Sequence, residues 1–263
     1  MIKVSVGDAA LVAVMMSFSL AGAQAPDLPP ISKPEQIART SDVIATAAGN
    51  LRITPINHAS VELEWKGQTI YVDPVSAGNY AGLPKADLIL ITDIHGDHMD
   101  PKELANLKQA GTVIIAPPAV AKTVTEAQVL SNGETKRVHL NGASMQVEAV
   151  PMYNLTRGPK PGQLYHPKGR GDGFILTIGG KRIYFSGDTE CTPEMKALKN
   201  IDVAFLCMNL PYTMTPVEAA ECVKAFRPKI VYPYHYRGQN PQEFADALKG
   251  DPGIEVRLRN WYQ

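Results

Sequence analysis

Short runs of apolar and β-branched residues recur along most of the chain, and polar or glycine-containing turns separate them. Such runs are typical of β-strands, and continuous apolar runs are typical of strands that are buried on both faces. The strands predicted in this way are 51–56, 60–65, 69–72, 86–92, 112–116, 138–140, 144–151, 173–178, 182–186, 203–206, 230–234 and 254–258.

Helical patterns fill several gaps between these strands, and most of them begin at a proline, which is favoured at the first helical position. The clearest begins at Pro101, where Asp100 fits the N-cap and Glu103 the reciprocal capping position. The predicted helices are 34–48, 101–109, 120–128, 193–199, 216–226 and 241–248. Strand-rich starts with interleaved helices in both halves favour two sheets covered by helices over one doubly wound sheet.

The N-terminus has the pattern of a secretory signal peptide. Lys3 precedes an uncharged apolar run at 9–22, and the segment 23–25 places small residues where a signal peptidase would cleave. The run is too short to span a bilayer comfortably, so we expect no membrane association after its removal. This pattern predicts a periplasmic or secreted protein. The alternative is an apolar N-terminal helix of the mature protein.

These features divide the chain into three parts. Residues 1–25 form the predicted signal peptide, and residues 26–50 form a proline-rich lead-in with a short helix. Residues 51–263 contain no linker and are predicted to fold as one domain.

Composition narrows the range of partners. Lysine plus arginine and aspartate plus glutamate number 26 each, and no long basic run occurs, so the charge pattern gives no reason to expect nucleic acid. The three cysteines, Cys191, Cys207 and Cys222, are an odd number, which predicts no complete disulfide framework. Nothing in the sequence indicates an oligomeric state.

The segment 92–98 carries the strongest chemical signal in the chain. It follows a predicted buried strand and precedes the capped helix, a position where a rigid scaffold commonly presents ligands. Its potential ligands are Asp93, His95, Asp97 and His98. Imidazole nitrogens and carboxylate oxygens suit Zn²⁺, and also Mn²⁺ or Fe. A polar loop with capping residues would explain one histidine here, but not four such side chains.

These residues also carry a family resemblance. Residues 93–98 resemble the His-x-His-x-Asp-His signature of the metallo-β-lactamase superfamily, with Asp93 in place of the first histidine. Asp188 lies in a segment that resembles the Gly-Asp element of that family, and His235 stands where its closing histidine lies. The stretch 53–73 is similar to the branch that contains ascorbate-6-phosphate-lactonase-like proteins. The resemblance implies an α/β fold, namely a four-layer αββα sandwich of the metallo-β-lactamase type.

The resemblance implies two adjacent metal sites that share one aspartate. The residues of the second site are Asp97, His98, Asp188 and His235, and those of the first site are Asp93, His95, Asn154 and Asp188. Asn154 replaces a histidine and is a weak neutral ligand, so we expect the first site to be weaker, richer in oxygen or empty. His166, in the loop after Asn154, is either a replacement ligand or a residue that faces the substrate.

Other residues near the implied site have more than one interpretation. His58 is a structural histidine, a partner of a metal ligand or a substrate contact, and Asp73 is expected to orient a ligand. A basic loop follows Asn154, with Arg157, Lys160, Lys168 and Arg170. These side chains could meet an anionic substrate, but a solvated loop has the same composition, and the solvated interpretation is favoured.

The predicted function is a metal-dependent hydrolase, with one or two ions, most simply zinc. Metal-bound hydroxide, oriented by Asp97 or Asp188, would attack a small-molecule ester, lactone, amide or phosphodiester. The substitutions at Asp93 and Asn154 favour an alternative, a catalytically degenerate metal- or ligand-binding module of the same fold. A di-iron redox protein on this scaffold would call for a flavin-binding companion domain, for which the sequence has no segment.

Overall fold

The structure is a computed structural model that describes residues 40–262. The predicted signal peptide at 1–25 and the lead-in up to residue 39 lie outside the described residues. Within 40–262, no helix has the length and apolar character needed to cross a membrane.

The first half of the described chain forms a seven-stranded sheet in sequence order. Its first four strands pair antiparallel, and the remaining pairs are parallel. The strands are β1 (Asp42–Thr46), β2 (Gly49–Asn57), β3 (Ser60–Trp65), β4 (Gln68–Val72), β5 (Leu88–Leu90), β6 (Val113–Ala116) and β7 (Gln128–Val129).

The second half forms another seven-stranded sheet with the same order of pairings. Four antiparallel strands again come first, and parallel strands follow. The strands are β8 (Thr135–Leu140), β9 (Ala143–Met152), β10 (Gly171–Ile178), β11 (Lys181–Phe185), β12 (Val203–Cys207), β13 (Ile230–Tyr234) and β14 (Glu255–Val256). The two halves therefore share one topology, although the sequence shows no visible repeat.

Short helices connect the parallel strands, and each begins with a proline in its first turn. Asp100 caps the first helix by accepting from two backbone N–H groups, as the sequence predicts. Thr215 and Glu218 form a complete capping box at the longest helix. The helices are α1 (Pro101–Leu107), α2 (Pro118–Ala121), α3 (Pro193–Lys196), α4 (Pro216–Phe226) and α5 (Pro241–Ala247).

Successive residues of a strand face opposite sides of the sheet, and this alternation determines which layer each residue contacts. In β4 and β5, Ile70 and Leu88 join a large core that includes strands of both sheets, whereas Tyr71 and Ile89 pack with Leu104 of α1. On the far side, residues of α4 join the core together with the second sheet. Two sheets therefore pack face to face between helices, which is the predicted αββα order of layers.

The N-terminal edge corrects the sequence prediction. Residues 42–46 form β1 and pair with β2, so the helix predicted over 34–48 is wrong in this part; residues 34–39 lie outside the described range. The sheet also begins at Asp42 rather than near Leu51. The β-branched residues Val43, Ile44 and Thr46 gain a complete hydrogen-bonding partner in β2, which outweighs the local helix signal.

Two further predictions need correction. The helix predicted over 120–128 is the short α2, followed by β7; Val120 and Val124 are buried in the core, and Ala127 is only partly buried against it. Cys191 and Cys222 form a disulfide with a Cα–Cα distance of 5.7 Å, so the odd cysteine count conceals one complete bridge. The remaining cysteine, Cys207, is buried in the core as a free thiol.

Candidate metal centre

Loops at the ends of the strands bring the predicted site residues together. His98 follows β5, Asp188 follows β11 and His235 follows β13. The parallel pairing of the central strands places these carboxyl ends at the same edge of the two sheets. His166 reaches the same place from the long loop between β9 and β10.

The backbone around the site is held in uncommon conformations. Gly187 has φ 59°, and a Cβ at this position would lie 2.3 Å from Met152 Sδ, so a larger residue before Asp188 would displace Met152. Three non-glycine residues of the site also have left-handed backbones, namely His58 (φ 52°), Asp73 (φ 45°) and His235 (φ 48°). Such strain persists where surrounding contacts impose it, and it collects at functional sites.

Three fully or nearly fully buried side chains, His98, Asp188 and His235, form what we call the inner cluster. His98 Nε2 lies 3.4 Å from Asp188 Oδ2, and His235 Nε2 lies 3.2 Å from Asp188 Oδ1. Asp97 Oδ2 adds a fourth group at 3.4 Å from His235 Nε2. The sequence-predicted second site is therefore assembled in one place.

Several atoms of the inner cluster have no hydrogen bond within the described part of the chain. They are His98 Nε2, His235 Nε2, His235 Nδ1 and Asp188 Oδ1. A buried polar atom without a partner is costly, and a native structure rarely leaves several of them converging on one point. A cation at that point would satisfy three of them.

The spacing of these atoms fits a metal ion. In tetrahedral zinc sites the ligand atoms lie about 2.0–2.1 Å from the ion, so two ligands are about 3.3 Å apart. The contacts of Asp188 with His98 and His235, and of Asp97 with His235, are 3.2–3.4 Å, and Asp97 lies 4.0 Å from His98 Nε2. Nitrogen and oxygen donors of this kind are those that zinc accepts, and also Mn²⁺ or Fe.

A second group, Asp93, His95 and His166, forms what we call the outer cluster. The two imidazole rings lie with centroids 5.2 Å apart, and His166 Nε2 is 3.3 Å from Asp188 Oδ2. Asp188 therefore lies between both clusters. His95 is 43% exposed, in contrast to the buried histidines of the inner cluster.

Three histidines are held through their Nδ1 atoms, so that Nε2 is the free nitrogen. Asp73 accepts from His98 Nδ1 at 2.8 Å, and Asp93 accepts from His95 Nδ1 at 2.9 Å. Asn154 Oδ1 accepts from His166 Nδ1 at 2.6 Å. Oxygen partners behind the ring fix the tautomer and orientation of metal-binding histidines. The expectation that Asp73 orients a ligand-type residue matches this contact.

Asp93 and Asn154 consequently have different surroundings from those expected of first-site ligands. Arg170 donates to both carboxylate oxygens of Asp93, at 2.9 Å from Nη2 and 3.1 Å from Nε. The preference for a solvated Arg170 is therefore wrong. Asn154 Oδ1 is occupied by His166, and its amide donates to the Tyr212 carbonyl. Both residues stand behind histidines, Asn154 behind His166 and Asp93 behind His95.

His58 lies within the site rather than beside it. Its ring stacks on His235 with a centroid distance of 3.7 Å, and Nε2 is 3.2 Å from Asp97 Oδ2. Nδ1 lies 2.6 Å from the Tyr262 hydroxyl. Burial lowers the pKa of His58 to about 4, so the ring is neutral at pH 7. The Tyr262 O–H then donates to Nδ1, and Nε2–H donates to Asp97.

The surroundings of Asp188 and Asp97 favour their ionised forms. Burial alone would raise the pKa of Asp188, but the nearby His235 and His98 hold it well below its usual range. The pKa of Asp97 is also lowered, because the nearby His235 ring and the hydrogen bond with His58 outweigh the effect of burial. Ionised oxygens without competing protons are the form that binds a divalent cation.

A cavity of about 630 Å³ opens onto both clusters. Its lining residues are His58, His95, Asp97, Tyr165, His166, Asp188, Asn209, Leu210, Pro211, Tyr212 and Arg237. This size is typical of pockets for small molecules. Asp97, whose side chain is 41% exposed, and His95 face this space, whereas His98 is fully buried behind it.

Sequence reasoning did not identify the roles of three residues that complete the site, namely Arg170, Tyr262 and Arg237. Arg170 binds Asp93 across a separation of 77 residues, and Tyr262 reaches His58 across 204. Arg237 lines the cavity from the loop after β13. No local motif marks the first two, because both contacts depend on the folded topology. Arg237 lies two residues after His235, so its closeness to a predicted ligand in the sequence could have identified it.

Comparison with known proteins agrees with this geometry. A family model of the β-lactamase superfamily domain matches residues 52–235. A metal-dependent hydrolase of Geobacillus sp. (strain WCH70) is 33% identical over 223 residues, which cover 77% of this chain and 95% of the relative. The metallo-β-lactamase fold protein YhfI from Bacillus subtilis has a TM-score of 0.60 at 14% identity, covering 78% of this chain and 89% of that one, which shows the fold alone.

A crystal structure from Parabacteroides distasonis is more similar in sequence. That protein, described as a metal-dependent hydrolase, is 46% identical, with a TM-score of 0.78 over 86% of this chain and 100% of that one. The predicted family and the predicted metallo-β-lactamase type of fold are confirmed. The chain therefore belongs to the metallo-β-lactamase superfamily, among its metal-dependent hydrolases.

Proposed function

We propose that this chain is a zinc-dependent hydrolase with two adjacent ions that share Asp188. The observation that carries the proposal is the set of 3.2–3.4 Å contacts between Asp188 and the Nε2 atoms of His98, His166 and His235. These contacts have the spacing of neighbouring zinc ligands, and Asp188 contacts histidines of both clusters.

The residues of each cluster have distinct tasks in this proposal. His98 and His235, with Asp97, would hold one ion, and His95 and His166 would hold the other. Asp93, paired with Arg170, serves to orient His95 rather than to bind the ion directly. Bound zinc ions supply a Lewis acid for the substrate oxygen and lower the pKa of water to about 7.

Asp97 is suited to orient a water molecule at this site. It lies on the cavity wall, and the neutral His58 ring donates to its Oδ2, which fixes the carboxylate in place. In the proposed reaction Asp97 orients the attacking water through a hydrogen bond. The cavity volume of about 630 Å³ favours a small-molecule ester, lactone, amide or phosphodiester as the substrate.

One observation favours the alternative of a degenerate binding module. Arg170 neutralises Asp93, which stands where the family signature has a histidine, and so the outer cluster has one potential ligand fewer. This alternative predicts one bound ion and no turnover. Measurement of both quantities on the same preparation separates it from the proposed hydrolase.

The test begins with metal-free protein that is reconstituted with zinc and screened on lactones, β-lactams, carboxylic esters and phosphodiesters. We expect hydrolysis in at least one class, lost on zinc removal and restored by its return. Asp188→Asn should abolish this turnover, whereas the exposed Glu221→Gln serves as the matched carboxylate control. Absence of turnover across all classes with full zinc content would refute the proposal.

We also propose that the chain is exported, with residues 1–25 removed. The disulfide between Cys191 and Cys222 supports this, because such bridges form and persist in oxidising compartments. Expression of the full chain in a bacterial host, followed by osmotic-shock fractionation and mass spectrometry, tests it. The expected product is a periplasmic protein that begins at Pro26. A cytoplasmic protein that retains residues 1–25 would contradict the proposal.

A further inference from the structure

The cavity above the two clusters has a single lysine or arginine among its described lining residues, Arg237. Its side chain is exposed, and no carboxylate of the described chain lies within ion-pair distance of it. Other arginines around the site are occupied, since Arg170 binds Asp93 and Arg157 binds Glu190 and Glu218. Arg237 is therefore an uncompensated cation beside the reaction centre.

Packing holds Arg237 beside the centre. Its guanidinium lies over the Tyr262 ring, 5.7 Å from the centroid, and Tyr262 also contacts Tyr236 edge to face at 5.1 Å. The Tyr262 hydroxyl binds His58, which in turn binds Asp97. A stacked guanidinium loses less freedom when it binds a ligand, because its plane is already oriented.

The neighbouring wall of the cavity has a different chemistry. Leu210, Pro211 and Tyr212 line it, and Tyr165 packs edge to face on Tyr212 with a centroid distance of 5.0 Å. Leu210 is 36% exposed and Tyr212 is 45% exposed, so this apolar surface is open to a ligand. A cationic and an apolar surface in one cavity suit a molecule that carries both kinds of group.

We propose that Arg237 binds an anionic group of the substrate, a carboxylate or a phosphate, while the wall of Leu210, Pro211 and Tyr212 contacts its apolar part. This inference rests on the proposed function, because it concerns the substrate of the same cavity. A planar guanidinium donates two parallel hydrogen bonds to either anion, which a lysine cannot do. Arg237 is thus a specificity-determining residue, distinct from the residues that would hold the ions.

Binding to the zinc-loaded full chain tests the inference without requiring turnover. Isothermal titration calorimetry would measure the affinity for benzoate, phenyl phosphate and the neutral benzyl alcohol. We expect Arg237→Gln to weaken one or both anions by about 10-fold or more and to leave benzyl alcohol unchanged. The affinity of Arg237→Lys for these anions should lie between that of the wild type and that of Arg237→Gln. Arg137→Gln, at an exposed position of β8, is the matched control and should bind like the wild type.

The titrations distinguish carboxylate recognition from phosphate recognition. A selective loss of benzoate indicates carboxylate recognition, and a selective loss of phenyl phosphate indicates phosphate recognition. Equal affinities of wild type and Arg237→Gln for both anions, or no binding of either anion by the wild type, would overturn the inference. Failure of the proposed function is seen separately, as an absence of hydrolysis in a protein that still binds anions through Arg237.

Discussion

The inner and outer clusters share Asp188 but are built in different ways. The inner cluster is fully buried, and a buried Asp73 holds His98 from behind. In the outer cluster His95 is half-exposed, and its support, Asp93, is itself held by Arg170 from a distant loop. Strand ends fix the first arrangement, whereas a long loop completes the second. The same ligand geometry can thus arise from local motifs or from contacts across the fold.

The largest expected effect comes from the residue that the clusters share. Asp188→Ala removes the oxygens that face His98, His166 and His235, so both ions should be lost. Turnover of any substrate identified for the wild type should fall about 10³-fold or more, which corresponds to about 4 kcal/mol of transition-state stabilisation. Steady-state kinetics and metal analysis check this. Retention of either ion would show that the clusters are independent.

A smaller effect is expected from the groups behind the histidines. Asp73→Asn should lower zinc affinity of the inner cluster, and Arg170→Gln that of the outer cluster, each by about 10- to 100-fold. The Asp73 variant should show the larger loss, because it alters the buried carboxylate that contacts His98 directly, whereas Arg170→Gln leaves Asp93 beside His95. Competition with a chromophoric chelator measures both affinities. A larger loss in Arg170→Gln would reverse the proposed ranking of the two clusters.

Removal of the disulfide is expected to lower stability without changing metal binding. The bridge joins the loop after β11 to α4 and closes a segment of 31 residues. The double variant Cys191→Ser/Cys222→Ser should lose about 2–4 kcal/mol of unfolding free energy, with unchanged zinc content. Chemical denaturation and metal analysis test the two parts. A loss of zinc in this variant would show that the bridge also positions Asp188.

The smallest effect concerns pH and the strand that follows the outer-cluster loop. Burial raises the pKa of Asp172 in β10 from 3.8 to about 7. The folded state therefore holds more protons than the unfolded state between about pH 4 and 7, and stability contributed by this group is lost as the pH rises through that window, by at most about 1.4 kcal/mol per unit.

Asp172→Asn removes this dependence and keeps an oxygen that accepts from Asn132. Thermal unfolding of both proteins at pH 5 and pH 8 should show a greater decrease for the wild type than for the variant. Parallel changes in the two proteins would mean that Asp172 titrates near its ordinary value in the folded state.

Local signals predicted most strands and the ligand-rich segment at 92–98, and the family resemblance added Asp188 and His235 to the inner cluster. Residues 93–98 lie between a buried strand and a capped helix, and the segments around Asp188 and His235 follow buried strands. The outer cluster could only be predicted in part. His166 was left as one of two possibilities, and the roles of Arg170 and Tyr262 depend on partners that are distant in sequence. β1 was missed for a similar reason, since its hydrogen bonds come from β2.

Metal stoichiometry of three proteins tests the central claim most directly. Wild type, His98→Ala and His166→Ala would be purified metal-free, reconstituted with zinc, desalted and analysed by inductively coupled plasma mass spectrometry. The shared-aspartate arrangement predicts two ions per chain in the wild type and one in each variant. One ion per chain in the wild type, with no change in His166→Ala, would contradict it.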